Sequence, residues 1–323
     1  MWKANRIRRI DLELTSYCNI KCSGCTRETA QSTEFYLNKK ENMLSLEMIK
    51  EKFRQEDWPA LKTINFCGSI DEPTSHPEFF EIVKFFIPWK INISISTNGS
   101  IRTPKWWGEL AQILNSSHHS VLWGVDGTDE TSEIYRKGSN FKKVQENWRA
   151  FHKFGGRSIW QFIIMEHNKH QVDDLERIAE EEGFKAVKFI NSMRSKGDVE
   201  YVKPEVEESE EVECKYLRDG TIFINCKGDV IPCCYMNAEH LEASKPNYHN
   251  GTFPQRQAYV DLWREHGEQL ATNLRYNEIV DVIEGDFFDS IAESWTQKPL
   301  FDRCENYCKK KKQSQFDKRQ IKK

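Results

Sequence analysis

Residues 9–25 read RIDLELTSYCNIKCSGC, a short strand-like run followed closely by three cysteines. The run RIDLEL at 9–14 reads as a β-strand. The cysteines that follow, Cys18, Cys22 and Cys25, are spaced C-x3-C-x2-C. In parallel α/β folds the chemistry lies at the carboxyl ends of the strands, so this stretch predicts such a fold with its site directly after the first strand.

Strand-like and helix-like runs alternate along the following chain. The predicted strands are 9–14, 63–67, 91–96, 120–125, 158–165 and 186–190, and the predicted helices are about 45–56, 77–87, 104–115, 139–154 and 171–182. Ser45 is placed to cap the first helix. This alternation predicts a parallel sheet. Six units are too few for a full eight-unit barrel, so we expect an α/β partial (βα)6 TIM-like barrel or an open sheet.

Polar and glycine-rich stretches follow the predicted strands. The second strand is followed by GSIDEP (68–73), the third by TNGS (97–100), the fourth by DGTDE (126–130) and the fifth by EHN (166–168). Because the strands are expected to run parallel, these stretches should gather at one rim of the sheet with the cysteines.

Composition excludes several classes of protein. The net charge is only −3, so no chain-wide field points to nucleic acid or a membrane surface. The most apolar stretch, residues 79–95, is interrupted by Lys84, Pro88 and Lys90, and no secretory signal is recognisable. We therefore expect a soluble cytoplasmic protein. Closely spaced cysteines in a reducing compartment more often bind metal than form disulfides.

Three interpretations of CNIKCSGC remain open from the residues alone. A structural zinc site would need a fourth ligand, which is usually a second cysteine or histidine pair. A thioredoxin-like motif needs only C-x2-C and would leave Cys18 without a role. A four-iron cluster held by three thiolates would leave one iron open to a substrate or cofactor. Three unligated cysteines are the least expected arrangement, because clustered thiolates are reactive.

The motif C-x3-C-x2-C after a first strand resembles the signature of radical S-adenosylmethionine (SAM) enzymes, and the resemblance covers about residues 8–190. It implies that Cys18, Cys22 and Cys25 hold a [4Fe-4S] cluster whose open iron chelates SAM. One electron would cleave SAM to a 5′-deoxyadenosyl radical, which abstracts hydrogen from a substrate. The cofactor performs this chemistry, and the protein positions and shields it. A one-electron reductant such as flavodoxin or ferredoxin is the implied partner.

Five further residues are implied as SAM contacts by the same resemblance. GSIDEP resembles the family's GGEP stretch, so Glu72 is predicted to bind the SAM amino group. TNG suggests Ser96 and Asn98 as contacts of the ribose or the methionine part. The stretches GVDG and YRKGSNF (135–141) are similar to the family's D-G…R-G-x-G-x-F pattern, which adds Asp126, and Arg136 as the partner of the SAM carboxylate.

Two positions depart from the family pattern. The residue before the third cysteine is usually aromatic, but here it is Gly24. The position before the Asp-Gly pair that usually carries serine holds Gly124. We interpret both as loosened contacts to adenosine that leave the chemistry intact.

A second set of cysteines lies toward the C-terminus. Cys214-x13-Gly228-x4-Cys233 matches the C-x9-15-G-x4-C pattern of SPASM and twitch extensions, which bind auxiliary clusters. Together with Cys304 and Cys308 it implies one auxiliary [4Fe-4S] cluster. Cys234 could replace Cys233, because adjacent side chains of an extended segment point to opposite faces. Zinc in the same four thiolates is the alternative.

The chain is expected to divide into four parts. These are the core at 1–200, an acidic linker at 201–213, a cysteine-rich α+β extension at 214–308 with a hairpin around Lys227-Gly228, and a frayed basic tail at 309–323. Helices are also expected at 255–273 and 276–297. No leader-binding domain precedes residue 8, which argues mildly against peptide substrates.

The predicted function is that of a radical SAM enzyme acting on an unidentified peptide, protein or small molecule. The alternatives are a radical SAM enzyme that modifies nucleotides or nucleic acid, with the basic tail touching phosphate, and a zinc-binding adaptor without catalysis.

Overall fold

A computed structural model describes most of the chain. The described residues are 1–25, 27, 42–67, 69–129, 131–192, 198–202, 206–208, 211–237, 240, 254–296, 299, 301, 304–312 and 316–320. Parts of the predicted acidic linker and basic tail, and Gly68 of GSIDEP, lie outside these residues.

Parallel strands dominate the fold. The strands are β1 Arg9–Leu12, β2 Lys21–Cys22, β3 Thr63–Phe66, β4 Asn92–Thr97, β5 Ser120–Gly124, β6 Arg136–Lys137, β7 Ser158–Ile164, β8 Ala186–Asn191, β9 Val206–Glu208, β10 Thr221–Ile224, β11 Val230–Ile231, β12 Lys310–Lys312 and β13 Phe316–Gln320. Nine of them form one sheet in the order β11-β10-β1-β3-β4-β5-β7-β8-β13. All neighbours from β10 to β8 pair in parallel, while β11 and β13 are antiparallel edges. The predicted partial barrel is confirmed.

Helices connect the strands of this sheet and continue in the C-terminal part. They are α1 Leu46–Lys52, α2 Phe79–Phe86, α3 Pro104–Ile113, α4 Ser132–Tyr135, α5 Phe141–Lys153, α6 Val172–Glu181, α7 Lys215–Asp219, α8 Pro254–Glu265, α9 Gln269–Thr272, α10 Ile279–Ile283 and α11 Asp286–Glu293. Ser45 caps α1 as predicted, because its side chain accepts a hydrogen bond from the Met48 amide. The five helices predicted between the strands are confirmed, with shorter bounds.

Aromatic packing between helices and strands forms much of the core. Trp107 of α3 and Trp123 of β5 are fully buried, with ring centroids 4.4 Å apart. Trp148 of α5 packs against Trp160 of β7 at 5.0 Å. Rings of this size bury large apolar areas, so they fix the helix layer against the sheet.

The opposite face of the first strands is polar. Asp11 of β1 and Asn65 of β3 stand in register, and the Asn65 amide donates to the Asp11 carboxylate at 2.9 Å. Ile10 and Leu12 point to the other face and are completely buried. The strands therefore separate an apolar outer layer from a polar interior that faces the site.

The C-terminal part adds to the same sheet. The predicted hairpin is confirmed as β10 and β11, and β10 pairs with β1 so that Ile222 stands beside Ile10. The prediction of a frayed C-terminal tail is wrong for the described residues, because their backbone forms β12 with β9 and β13 with β8. The open edge of β8 offers unpaired backbone groups, which β13 satisfies. The domain boundaries stay a prediction.

The two long C-terminal helices predicted from the sequence are each broken. The first ends before Gly267, which has a φ of +90°, and Glu268 follows with a φ of +58°. The second is interrupted at Gly285, which caps α11. Left-handed backbone cannot continue an α-helix, so the chain turns at the first of these positions.

No helix in the described residues is both long and apolar enough to span a bilayer.

Candidate active site

The three clustered cysteines lie in the loop that leaves β1, at the carboxyl ends of the strands. All three are partly buried. Cys22 belongs to β2 and stands opposite Arg136 of β6, and the Cys25 amide donates to the Cys22 carbonyl at 3.1 Å. Gly24 between them has a φ of +68°, in the region that favours glycine. The departure from an aromatic residue at this position therefore follows from the turn.

The environment of Cys18 disfavours a free thiolate. Burial, and then the nearby Glu72, raise the pKa of the Cys18 thiol to about 12. A bound cation reverses this preference, because metal binding holds the thiolate form. The Asn98 amide lies 3.8 Å from the Cys18 sulfur and can donate to it. Three cysteines with such a donor suit iron–sulfur ligation.

Glu72 lies beside this loop and is only 1% exposed. Its Oε1 accepts hydrogen bonds from the Thr74 amide and hydroxyl and from the Thr97 hydroxyl, at 2.7–3.2 Å. Its Oε2 accepts from the Asn98 amide at 2.7 Å. Burial raises the pKa of Glu72, although these hydrogen bonds oppose the shift. The carboxylate is thus fixed in place and joins the ends of two strands.

Asn98 is tied into the same rim. Its side-chain oxygen accepts from the Ser100 amide at 2.8 Å, and its side-chain nitrogen donates to Asn19 at 3.0 Å. Asn19 directly follows Cys18, so Asn98 connects the end of β4 to the cysteine loop. Ser96, the other predicted contact from this strand, is partly exposed on the polar face.

Asp126 and Arg136 form a buried ion pair next to Cys22. Arg136 Nε lies 2.7 Å from an Asp126 oxygen, and the other Asp126 oxygen accepts from the Ile163 amide at 2.6 Å. Burial lowers the pKa of Arg136, but Asp126 and then Cys22 outweigh this and raise it. A Cβ on Gly124 would lie 2.7 Å from Arg136 Nη2. Gly124 is therefore explained by the space that the guanidinium occupies, not by loosened adenosine contacts alone.

The four predicted auxiliary cysteines come together from three segments. Cys214 caps α7, and its sulfur accepts from the Leu217 amide at 3.5 Å. Cys304 and Cys308 lie at the two ends of one π-helical turn. A hydrogen bond with Cys308, burial, and the charges of Cys233 and Cys214 all raise the pKa of Cys304. Burial raises the pKa of Cys214 to about 11, and Cys308 adds to the shift.

Cys233 and Cys234 face different surroundings. Burial raises the pKa of Cys233, and the adjacent Cys234, then Cys214 and Cys308, add to the shift. The Cys234 sulfur instead lies 3.0 Å from the Tyr216 hydroxyl. Cys233 is thus the member of the pair that lies with the other three cysteines.

No three His, Cys, Asp or Glu side chains of the described residues converge on the single point that one metal ion would occupy. A four-iron cluster takes its thiolates at different iron atoms, so its ligands need not converge in this way. The donor set at both places is compatible with such a cluster.

Sequence reasoning missed several residues that shape the site. The Arg27 guanidinium is 5% exposed and donates to the carbonyls of Ser16 and Ile70, which joins the loops after β1 and β3. Glu13 accepts hydrogen bonds from Ser69 and Ile70 and holds the GSIDEP loop. Alternation along β1 could have placed Glu13 on the polar face, but nothing in the sequence marks Arg27.

The fold is a partial α/β barrel, and the strand-end cysteines lie in a loop at its carboxyl rim. Residues 12–182, which are 171 of the 323 residues, match the model of the Radical SAM superfamily. The chain belongs to this superfamily, and the predicted class of enzyme family is confirmed.

Curated relatives share part of the chain. A tungsten-containing aldehyde ferredoxin oxidoreductase cofactor-modifying protein of Pyrococcus furiosus is 34% identical over 32% of this chain and 27% of its own length. A probable GTP 3′,8-cyclase of Thermococcus kodakarensis is 27% identical over 49% of this chain and 52% of its own length. The mycofactocin maturase MftC of Mycobacterium ulcerans is 27% identical over 57% of this chain and 47% of its own length. The chain thus spans between about a quarter and about half of the length of these relatives.

Solved structures share the fold. SuiB of Streptococcus suis bound to S-adenosylmethionine is 14% identical with a TM-score of 0.56, covering 91% of this chain and 76% of SuiB. Native anSMEcpe with bound AdoMet is 16% identical with a TM-score of 0.53, covering 87% of this chain and 82% of anSMEcpe. Both alignments extend well beyond residues 12–182, so the C-terminal part contributes to this likeness.

Proposed function

We propose that the chain is a radical SAM enzyme that binds one cluster through Cys18, Cys22 and Cys25, and one auxiliary cluster through Cys214, Cys233, Cys304 and Cys308. The observation that carries the first part is the set of contacts around the cysteine loop. Asn98 reaches the Cys18 sulfur, and Arg136 stands opposite Cys22. Predicted cofactor contacts from the end of β4 and from β6 therefore adjoin the cysteines.

The protein's own residues bind and orient the cofactor. Cys18, Cys22 and Cys25 would hold the cluster, which when bound would supply one electron for the reductive cleavage of SAM. Glu72 would present a carboxylate acceptor to the SAM ammonium. The hydrogen bonds to this carboxylate already hold it in place, so binding requires no movement of the side chain. Arg136 presents a guanidinium that Asp126 has already aligned for a carboxylate. Ser96 and Asn98 would contact the ribose or the methionine part.

The auxiliary site rests on a separate observation. Burial and neighbouring cysteines of this set raise the pKa values of Cys214, Cys233 and Cys304, which supports a site built from distant segments. Four cysteines without another ligand type suit an auxiliary cluster, and zinc in the same thiolates is the alternative.

Peptides or cofactor precursors are the substrate class that we favour. The relatives include a maturase and a cofactor-modifying protein, and a SuiB structure bound to its precursor peptide SuiA has a TM-score of 0.57 to this chain. A nucleotide substrate is the second candidate, because one relative is named a probable GTP 3′,8-cyclase. We expect a flavodoxin- or ferredoxin-like reductant and a cytoplasmic location.

The deciding experiment is anaerobic reconstitution with iron and sulfide, followed by reduction with dithionite in the presence of SAM. We expect absorption near 400 nm and formation of 5′-deoxyadenosine. A colourless protein that binds stoichiometric zinc and forms no 5′-deoxyadenosine would instead identify the non-catalytic adaptor.

A further inference from the structure

A cavity lies at the end of the sheet opposite the cysteine loop, where β1 and β10 begin. Its volume is about 510 Å³, which falls within the range of about 300–1,000 Å³ that small-molecule sites occupy. Four of its lining residues are basic, namely Lys3, Arg6, Arg8 and Arg218, and no described Asp or Glu lines it. The cavity is therefore strongly cationic.

Two of these four basic residues form ion pairs within the protein, and two do not. Lys3 lies 3.6 Å from Glu284, and Arg218 lies 2.9 Å from Asp219. Within the described part of the chain, neither Arg6 nor Arg8 forms an ion pair, and both are exposed. The whole chain carries a net charge of −3, so this concentration of positive charge is a local feature.

The first residues of the cavity wall are held by the C-terminal part of the chain. Trp2 is 1% exposed, packs edge-on against Phe288 at 5.3 Å, and donates from Nε1 to the Thr221 carbonyl at 3.2 Å. The Ala4 amide donates to Glu284 at 2.8 Å. These contacts anchor the backbone on both sides of Lys3.

The two walls of the cavity meet at Gly220. Its carbonyl accepts from the Arg8 amide at 2.7 Å, and a Cβ on Gly220 would lie 2.3 Å from the Arg6 carbonyl oxygen. Gly220 also has a φ of +64°. Only glycine permits this approach, so the positions of the Arg6 and Arg8 backbones are fixed before any ligand arrives.

We infer that this cavity binds a multiply charged phosphorylated small molecule of nucleotide size, with Arg6 and Arg8 as its phosphate ligands. Guanidinium groups bind phosphate oxygens in a bidentate manner, and a preformed wall lowers the ordering cost of binding. Leu217, which is partly exposed, also lines the cavity and offers apolar contact to the uncharged part of the ligand. The site lies at the amino ends of the strands and does not depend on the proposed function.

Calorimetric titration of the purified full chain at low salt tests this inference, with inorganic tripolyphosphate and ATP as probes and adenosine as the uncharged comparison. We expect tripolyphosphate and ATP to bind and adenosine not to bind. Arg6→Gln with Arg8→Gln should weaken binding at least about tenfold, because the charge-assisted hydrogen bonds to phosphate are lost. The double variant Arg6→Lys and Arg8→Lys should bind with intermediate affinity, because the positive charges are kept but the bidentate guanidinium donors are lost.

The matched control is Lys105→Gln with Lys143→Gln, which removes the same charge from two exposed positions elsewhere. The control should bind tripolyphosphate as the parent chain does, and all variants should share its thermal midpoint without ligand. Equal weakening in both pairs would show non-specific attraction and overturn the inference. Binding of polyglutamate through Arg6 and Arg8, without binding of tripolyphosphate, would assign the surface to an acidic protein and overturn it as well.

Discussion

The two cysteine sites of this protein are built in different ways. Cys18, Cys22 and Cys25 lie within eight residues of one loop, whereas the C-terminal four are spread over residues 214–308. The first set needs only a local turn at Gly24. The second set needs α7, the hairpin and the π-helical turn at Cys304–Cys308 to be packed together. One site is therefore encoded locally, and the other depends on the complete tertiary structure.

Their surroundings differ as well. The strand-end cysteines adjoin a buried carboxylate, Glu72, and a buried ion pair, Asp126 with Arg136. The C-terminal cysteines instead adjoin one another, since a hydrogen bond with Cys308, burial, and the charges of Cys233 and Cys214 raise the pKa of Cys304. Three thiols beside fixed polar groups suit a site that also binds a ligand, whereas four thiols suit a closed site.

Removing each cysteine set should separate the two sites completely. Cys18→Ala, Cys22→Ala and Cys25→Ala together should abolish 5′-deoxyadenosine formation and remove about four irons per chain. Cys304→Ala with Cys308→Ala should also remove about four irons, while the signal of the SAM-responsive cluster remains. Iron analysis and electron paramagnetic resonance with and without SAM measure both. Formation of 5′-deoxyadenosine by the triple variant would contradict the assignment.

Cys233 and Cys234 test the closed site more finely. Cys233→Ser should lower the iron content by about one cluster, because its thiol lies with Cys214 and Cys308. Cys234→Ser should keep the full iron content, since its sulfur faces Tyr216. The two variants differ by one position and make the same chemical change. The reverse result would exchange the ligand assignment.

The buried ion pair should contribute strongly to the stability of the strand-end site. Asp126→Asn leaves the Arg136 charge uncompensated and should lower the free energy of unfolding by about 3–5 kcal/mol. Urea unfolding of the metal-free protein measures this change. Lys105→Gln, which alters an exposed pair, should cause no resolvable change. Equal stability of Asp126→Asn and the parent chain would show that Arg136 does not need its partner.

The smallest expected effect concerns the turn within the cysteine loop. Gly24→Ala places a side chain at a φ of +68° and should lower the free energy of unfolding by about 1–2 kcal/mol. Gly155→Ala is the control, because Gly155 has a φ of +83° with no atom within 4 Å of an added Cβ. Both should destabilise similarly, but only Gly24→Ala should lower the occupancy of the SAM-responsive cluster. Equal cluster occupancy in the two variants would show that Gly24 does not shape the cluster site.

Much of the fold followed from local sequence patterns. The six core strands, their helices and the hairpin at Lys227-Gly228 were predicted, because apolar periodicity and turn residues act over short distances. The breaks near Gly267 and Gly285 were missed, since the apolar pattern continues across them. The strand at Phe316–Gln320 was also missed, because a basic sequence gives no sign of the open edge of β8 that it pairs with.

The sequence by itself determined the three-cysteine loop, its position after the first strand and the family, because these depend on spacing within a few residues. Only the tertiary structure decided that Asp126 fixes Arg136 against Gly124, and that Cys233 rather than Cys234 lies with the other C-terminal cysteines. It alone brought Arg6 and Arg8 to one cavity with Arg218. These arrangements join segments far apart in the chain, and their geometry is set by packing and burial, which residue spacing does not specify.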